Sequence, residues 1–314
     1  MVTVFLYPDV FDTQTLFAAD FPNKPVTMIV WSTSGMADTL SRVLAANAAK
    51  ELGQPMLVEN KPGAHGVIGI NQILRSKPDG YTIGMVVTSN LIIDPHIQNV
   101  PYDIRSATDI LAVCRYNFGL VVRTEAPWNT IEELVAYAKK NPGKFTYATT
   151  GVGSSQHIVM EQIAMKEGIK WTMVPFKSGG EAAIACLGGS TDAVVQGSVD
   201  VLPHLKAGKF KMLVSLDGGR WPDFPNVPEI TEKGYKFAAI SYISYIGPKG
   251  IPNAIQQKLE DALRKAMQDP SFQKIIDQYK VQSAFIGGKD YASVWRTQYD
   301  EMGKVVKALG LEEK

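Results

Sequence analysis

Short runs of aliphatic and β-branched residues alternate along this chain with longer stretches in which apolar positions return every three or four residues. VTMIV (Val26 to Val30) is a continuous apolar run of strand length. It leads into DTLSRVLAANAAKELG, where Leu40, Val43, Leu44 and Ala48 recur at helical spacing and Gly53 follows as a stop. PMLVEN, a helical stretch after Gly66 and YTIGMVV (Tyr81 to Val87) continue the alternation. A second series starts near Thr130: TIEELVAYAKKN has the threonine cap and early glutamates of a helix start. It runs on through FTYAT, WTMVPF, a helix from Glu181 to Leu187, DAVVQ and KMLVS. Strands alternating with helices predict an α/β fold built of crossover units on a mostly parallel sheet. WPDFPNVPEI, with Pro222, Pro225 and Pro228, predicts a fixed surface connector, because proline suits neither a regular helix nor a central strand. SYISYIGP then reads as a strand, and IPNAIQQKLEDALRKAMQDP and KDYASVWRTQYDEMGKVVKALG as two amphipathic helices that close the chain.

Two segments share one order of strand, small polar turn and helix ending at glycine. In the first, VTMIV leads through WSTSGMA to its helix; in the second, FTYAT leads through TGVGSSQ into HIVMEQIAMKEG. The first amides of a helix have no internal partner and carry the positive end of its dipole, so a turn of small residues lets an anion approach them closely. Ser32, Thr33, Ser34 and Gly35 in one turn, and Thr150, Gly151, Ser154 and Ser155 in the other, supply hydroxyls and uncovered amides. The same residues also serve as ordinary turn formers and caps. If both turns face one cleft, two helix N-termini converge on one ligand. Asp38, in the first helical turn, is expected to favour the dipole more than to meet a ligand. Lys177, in PFKSGG at another strand-to-helix turn, offers a nearby cation or a solvated side chain.

Other chemistries fit less well. The phosphate-loop pattern GxxxxGK[ST] is absent, and GVGSSQ does not complete a dinucleotide-binding glycine motif. Ser154 and His157 stand three apart and could act as nucleophile and base, yet the G-x-S-x-G elbow of hydrolases surrounds neither turn serine. Cys114 and Cys186 sit in separate apolar segments, and His65, His96, His157 and His204 are far apart, so no metal site and no cofactor is expected. Lys plus Arg total 32 against 31 acidic residues, with no basic block, which sets nucleic acid aside. No apolar run reaches the roughly 18 residues of a membrane span. The first twenty residues lack Lys and Arg and the apolar core of a secretory signal, and are read as an extension or leader remnant.

From about Phe21 onward the chain resembles the solute receptors of tripartite tricarboxylate transporters, also called Bug proteins. The likeness rests on LGQPMLVENKPGAHG, PDGYTI, NPGKFTYATTGVGSSQH, VPFKSGGEAAIACLGGSTDAVV, LPHLKAGKFKML and FPNVPEITEKGY, in that order. It implies a type II periplasmic binding protein fold, in which two α/β lobes flank a central ligand cleft and the chain crosses twice. The expected division is residues 1–20 as extension, 21–122 as the first part of lobe 1, 123–238 as lobe 2, and 239–314 as the return to lobe 1.

It further implies a non-catalytic, monomeric periplasmic receptor that grips a small organic carboxylate, partly through ordered water, and delivers it to transporter subunits in the membrane. By match the site comprises Trp31, Ser32, Thr33, Ser34, Gly35, Met36, Ala37 and Asp38 in the first turn. Thr150, Gly151, Gly153, Ser154, Ser155 and His157 form the second, with Ser89, Asn90, Lys177 and Gln196 as lining. The family's first turn is usually of the form PFPPGG, whereas WSTSGM is bulkier and more polar, so Trp31 and Met36 are expected to form an apolar wall for an aromatic or longer aliphatic acid. Gln196 stands where relatives often carry an acid, which disfavours amino acids as ligands. The rival expectation is an enzyme or ligand sensor on the same fold that uses Ser154 and His157. A bulky replacement of Ser34 or Ser154 is expected to abolish binding and leave the melting of the fold nearly unchanged.

Overall fold

The computed structural model describes residues 20–33 and 35–312. The expectation for the first twenty residues therefore lies almost wholly outside the described residues, as does Ser34.

Two sheets form two lobes. Lobe 1 holds β1 (Val26–Val30), β2 (Met56–Asn60), β3 (Thr82–Val87), β4 (Thr108–Arg115), β10 (Tyr242–Gly247) and β11 (Gln282–Gly287), in the order β11-β4-β10-β3-β1-β2. Lobe 2 holds β5 (Phe118–Arg123), β6 (Thr146–Thr149), β7 (Thr172–Pro175), β8 (Ala193–Gly197) and β9 (Phe210–Ser215), in the order β7-β6-β8-β5-β9. The continuous apolar runs are buried because helices cover both faces of each sheet: every residue of β8 is buried, and so are all but one of β1. Lobe 1 packs Leu40, Leu44, Leu259 and Leu263 on one side of its sheet, and Ile70, Leu91, Tyr291 and Trp295 on the other. Lobe 2 does the same with Leu134, Phe145 and Tyr147 on one side and Cys186, Val201 and Trp221 on the other.

The parallel sets are each interrupted by a reversed strand. β5 runs antiparallel to β8 and β9, and β10 runs antiparallel to β3 and β4. These two strands follow the crossings between lobes. A strand that arrives from the other lobe enters at the cleft end of the sheet, so it must run against the strands that finish there. The first crossing passes through Tyr116 and Asn117, so Phe118–Arg123 belongs to lobe 2, whereas a boundary at 122 assigns most of that segment to lobe 1. The second runs through 239–241, where Ala239 still bonds to Leu216 and Tyr116 donates its amide to Ser241 O. Arg115 of lobe 1 reaches Asp217 of lobe 2 at 3.8 Å beside these crossings.

Between the two closing helices expected from the sequence, the structure adds a helix at Pro270–Tyr279 and the edge strand β11. The proline-rich connector is not wholly superficial: Trp221 and Ile230 anchor it in lobe 2, at 2% and 0% exposure. Proline fixes the path of the segment and says nothing about which side chains turn inward.

Candidate functional site

The strands β1, β3, β6 and β8 all end toward the crossings, so the cleft is lined by the turns that follow them. The turn after β1 is braced from β2, whose Asn60 is in register with Val30. Asn60 Nδ2 donates to Ser32 O at 2.5 Å and to Asp38 Oδ1 at 2.7 Å. Arg42, one turn further along the helix Gly35–Leu52, donates to Asp38 Oδ2 at 2.9 Å and to Asn60 Oδ1 at 2.7 Å. Partial burial opposes the charge on Asp38, but the bonds from Arg42 and Asn60 outweigh it and hold the carboxyl below its ordinary value. Asp38 is thus a brace for the turn. Met36 and Ala37 belong to the lobe 1 core, at 7% and 8% exposure, so the expected apolar wall falls to Trp31 alone. Thr33 and Gly35 are exposed, and Gly35 has φ 80° with open space where a Cβ would stand.

The second turn is tied more tightly. Thr149 Oγ1 accepts the Gly151 amide at 3.0 Å and shares a proton with Ser154 Oγ at 3.0 Å. Ser154 Oγ donates to Gly151 O at 2.9 Å and accepts the His157 amide at 3.2 Å, which makes Ser154 the N-cap of the helix Ser155–Glu167. Gly153, at φ 80°, donates its amide to His157 Nδ1 at 3.3 Å. Burial lowers the His157 pKa and keeps the ring neutral, and with Nδ1 accepting, its proton lies on Nε2. The Ser154 hydroxyl therefore meets the backbone amide of His157 and not its ring. Ser154 is only 8% exposed, so a bulky residue there breaks the cap and the packing, and the expectation of an unchanged melt does not hold for it. Thr150 is exposed, and Gly151, at φ 116°, again has open space where a Cβ would stand.

The lining residues fare differently. Asn90 is fully buried and committed: Oδ1 accepts the Val87 amide at 3.0 Å, and Nδ2 donates to His65 O at 2.9 Å and Asp94 Oδ2 at 2.7 Å. It is scaffold rather than lining. Ser89, beside it, is 5% exposed. Gln196, next to last in β8, accepts from Gln156 Nε2 at 3.4 Å, while its own Nε2 is buried with no partner among the described residues. Lys177 is exposed, and its ammonium bonds to neither turn among the described residues. The lobes meet at the second turn: a Cβ on Gly153 would overlap Ile97 Cδ1 and touch Ile93, and Ile158 packs into a lobe 1 cluster.

Sequence reasoning passed over His65. It sits in the turn after β2, its ring 5.8 Å from that of Trp31, with Nδ1 2.9 Å from Asp94 Oδ2. The available signal was a histidine between glycines in KPGAHG, directly after a strand.

Among the described residues no group of three or more His, Cys, Asp or Glu is placed to hold a metal ion, and no helix is long and apolar enough to cross a membrane. The two cysteines are buried and unpaired, and burial pushes both thiols up to about 12. A groove of about 850 Å³ opens between the helices Asn253–Ala266 and Gly288–Ala308, beside Asp109 at the start of β4. That is the end of the sheet away from the crossings.

A profile described as tripartite tricarboxylate transporter family receptor matches residues 40–311. A protein of Cupriavidus necator called "UPF0065 protein in gbd 5'region" is 34% identical over 296 residues, covering 94% of this chain and 90% of its own. Protein BugT of Bordetella pertussis is 30% identical over 275 residues, covering 85% of this chain and 82% of its own. Among solved structures, a TctC solute-binding protein from Polaromonas superposes with a TM-score of 0.83 at 27% identity, over 92% of this chain and 99% of that one.

Proposed function

Because the chain belongs to the tripartite tricarboxylate transporter receptor family, we propose that it is a periplasmic receptor that closes its lobes on a small organic carboxylate and hands it to the membrane subunits of such a transporter. The observation that carries the carboxylate is the pair of turns. Each has a left-handed glycine, Gly35 or Gly151, with open space where a side chain would block approach to a helix N-terminus. In the second turn the hydroxyls of Thr149 and Ser154 are spent on shaping the turn. The amides of Ser155 and Gln156, which precede the first intrahelical bond, are left to meet an anion. A prebuilt turn loses little order on binding, so charge-assisted bonds convert efficiently into affinity.

Catalysis by Ser154 and His157 gains no support from this arrangement, since the serine proton and the histidine Nδ1 both serve the backbone. The Gln196 amide, with its unspent buried donor, suits an acceptor oxygen on the ligand. A thermal-shift screen of the purified protein against aliphatic and aromatic mono-, di- and tricarboxylates tests the proposal. A ligand at about 100 times its Kd raises stability by about 2.7 kcal/mol. The expected result is a clear shift with at least one acid, recovered unaltered afterwards. Conversion of that acid, or no shift with any, would overturn the reading.

A further inference from the structure

We propose that His65, oriented by Asp94 and packed beside Trp31, is the cationic contact of the cleft and selects ligands with a second carboxylate over their monocarboxylate counterparts. The inference rests on the receptor reading above. Asp94 is 1% exposed, and its carboxylate receives Asn90 Nδ2 at 2.7 Å and His65 Nδ1 at 2.9 and 3.2 Å. Asn90 also clasps the His65 carbonyl at 2.9 Å, so the backbone and the ring are located by the same amide. His65 holds a left-handed backbone, φ 52°, which few residues with a side chain adopt unless their surroundings impose it.

With Nδ1 directed inward to the buried Asp94, Nε2 lies on the opposite edge of a ring whose side chain is 48% exposed, and it has no partner among the described residues. The hydrogen bond that His65 Nδ1 donates to Asp94 raises the His65 pKa against the opposing effect of burial, which favours the doubly protonated ring. Trp31 walls the site, and its indole Nε1 is a second buried donor without a partner among the described residues. Two unspent donors within one aromatic corner, one of them on a cation, suit a carboxylate.

The other charged groups nearby do not offset this role. Burial, and after it the nearby Asp94 charge, raises the Tyr102 pKa, and its hydroxyl is buried with no partner among the described residues. Lys61, four residues before His65, is paired with Glu59. Asn90 and Trp31, which touch the His65 turn from the other sides, are neutral.

The test compares binding of succinate and glutarate with that of butyrate and valerate by calorimetry at pH 6 and pH 8, in the wild type, His65→Asn and Asp94→Asn. Asparagine tolerates the left-handed backbone, and its Nδ2 stands where the histidine Nδ1 does, so it keeps a donor for Asp94 while removing Nε2 and the positive charge, which keeps the first variant foldable. The expected result is that His65→Asn weakens the dicarboxylates roughly 10- to 100-fold, the value of one charged hydrogen bond, and leaves the monocarboxylates within about twofold. Wild-type affinity for the dicarboxylates should fall as pH rises through the His65 titration. Asp94→Asn, acting through position and charge, should move that fall to lower pH. Dicarboxylate binding that is unaffected by His65→Asn, or equal losses for both classes, overturns the inference and leaves the receptor reading standing. No binding of these four acids by the wild type overturns the inference, and no binding of any acid in the wider screen overturns both.

Discussion

Ser154→Ala tests how the second turn is built. The hydroxyl makes three contacts: it caps the helix Ser155–Glu167 by accepting the His157 amide, it donates to Gly151 O, and it bonds to Thr149. Losing an N-cap costs about 1 kcal/mol, and leaving buried partners short of a bond adds up to about 2 kcal/mol, for a total of roughly 1–3 kcal/mol. At about 2.1 cal/mol/K per residue for unfolding, this lowers the melting temperature by roughly 2–5 °C if the lobes unfold together. Calorimetry with and without a bound acid measures both stability and affinity. Ser154→Thr retains a capping hydroxyl and should recover most of the loss. An unchanged melt in Ser154→Ala, or a Ser154→Thr melt as low as that of alanine, would refute the capping argument and return the serine to the role of a free ligand contact.

Gly153→Ala should destabilise by about 1–2 kcal/mol from the left-handed backbone alone, with more from the overlap with Ile97. Adding Ile97→Ala should return only the overlap part, as seen in urea midpoints of the single and double variants. Gln196→Met keeps the volume and removes a buried donor that has no partner among the described residues, but it also removes the acceptor of Gln156 Nε2, so the two effects oppose and the stability should move by less than about 1 kcal/mol while ligand affinity drops roughly tenfold. Calorimetric titration that finds affinity intact would remove Gln196 from the site.

A pH dependence follows from Asp217, 0% exposed, whose carboxyl burial pushes up to about 6 against the bond from Ser215 and the charge of Arg115. Its folded pKa lies above the unfolded value of about 3.9, so the folded state binds more protons between about pH 4 and 6 and loses stability as pH rises through that window. Asp217→Asn should therefore gain on the wild type by up to roughly 2–3 kcal/mol from pH 4 to pH 6, with a flat difference above. A difference in urea midpoint stability that is flat throughout would count against the raised pKa.

The features legible in the sequence are those encoded within a few neighbouring residues. VTMIV is a strand at its expected limits, Thr130 caps its helix through the Glu133 amide at 3.2 Å, and the two strand–turn–helix units stand where their spacing placed them. Periodicity and capping act over one or two turns, so the local order of residues announces them.

What only the tertiary structure decided is the use to which the small residues are put. His65 meets Asp94 across 29 positions, Gln156 meets Gln196 across 40, and Asn60 reaches back 22 to Asp38. Met36 turns into the core because the helix Gly35–Leu52 must bury one face, and Asn90 becomes scaffold because the turn after β2 folds over it. A hydroxyl or amide has the same local propensity whether it serves the backbone or a ligand. Only the closed chain, by supplying or withholding a partner, determines which donors remain for an anion.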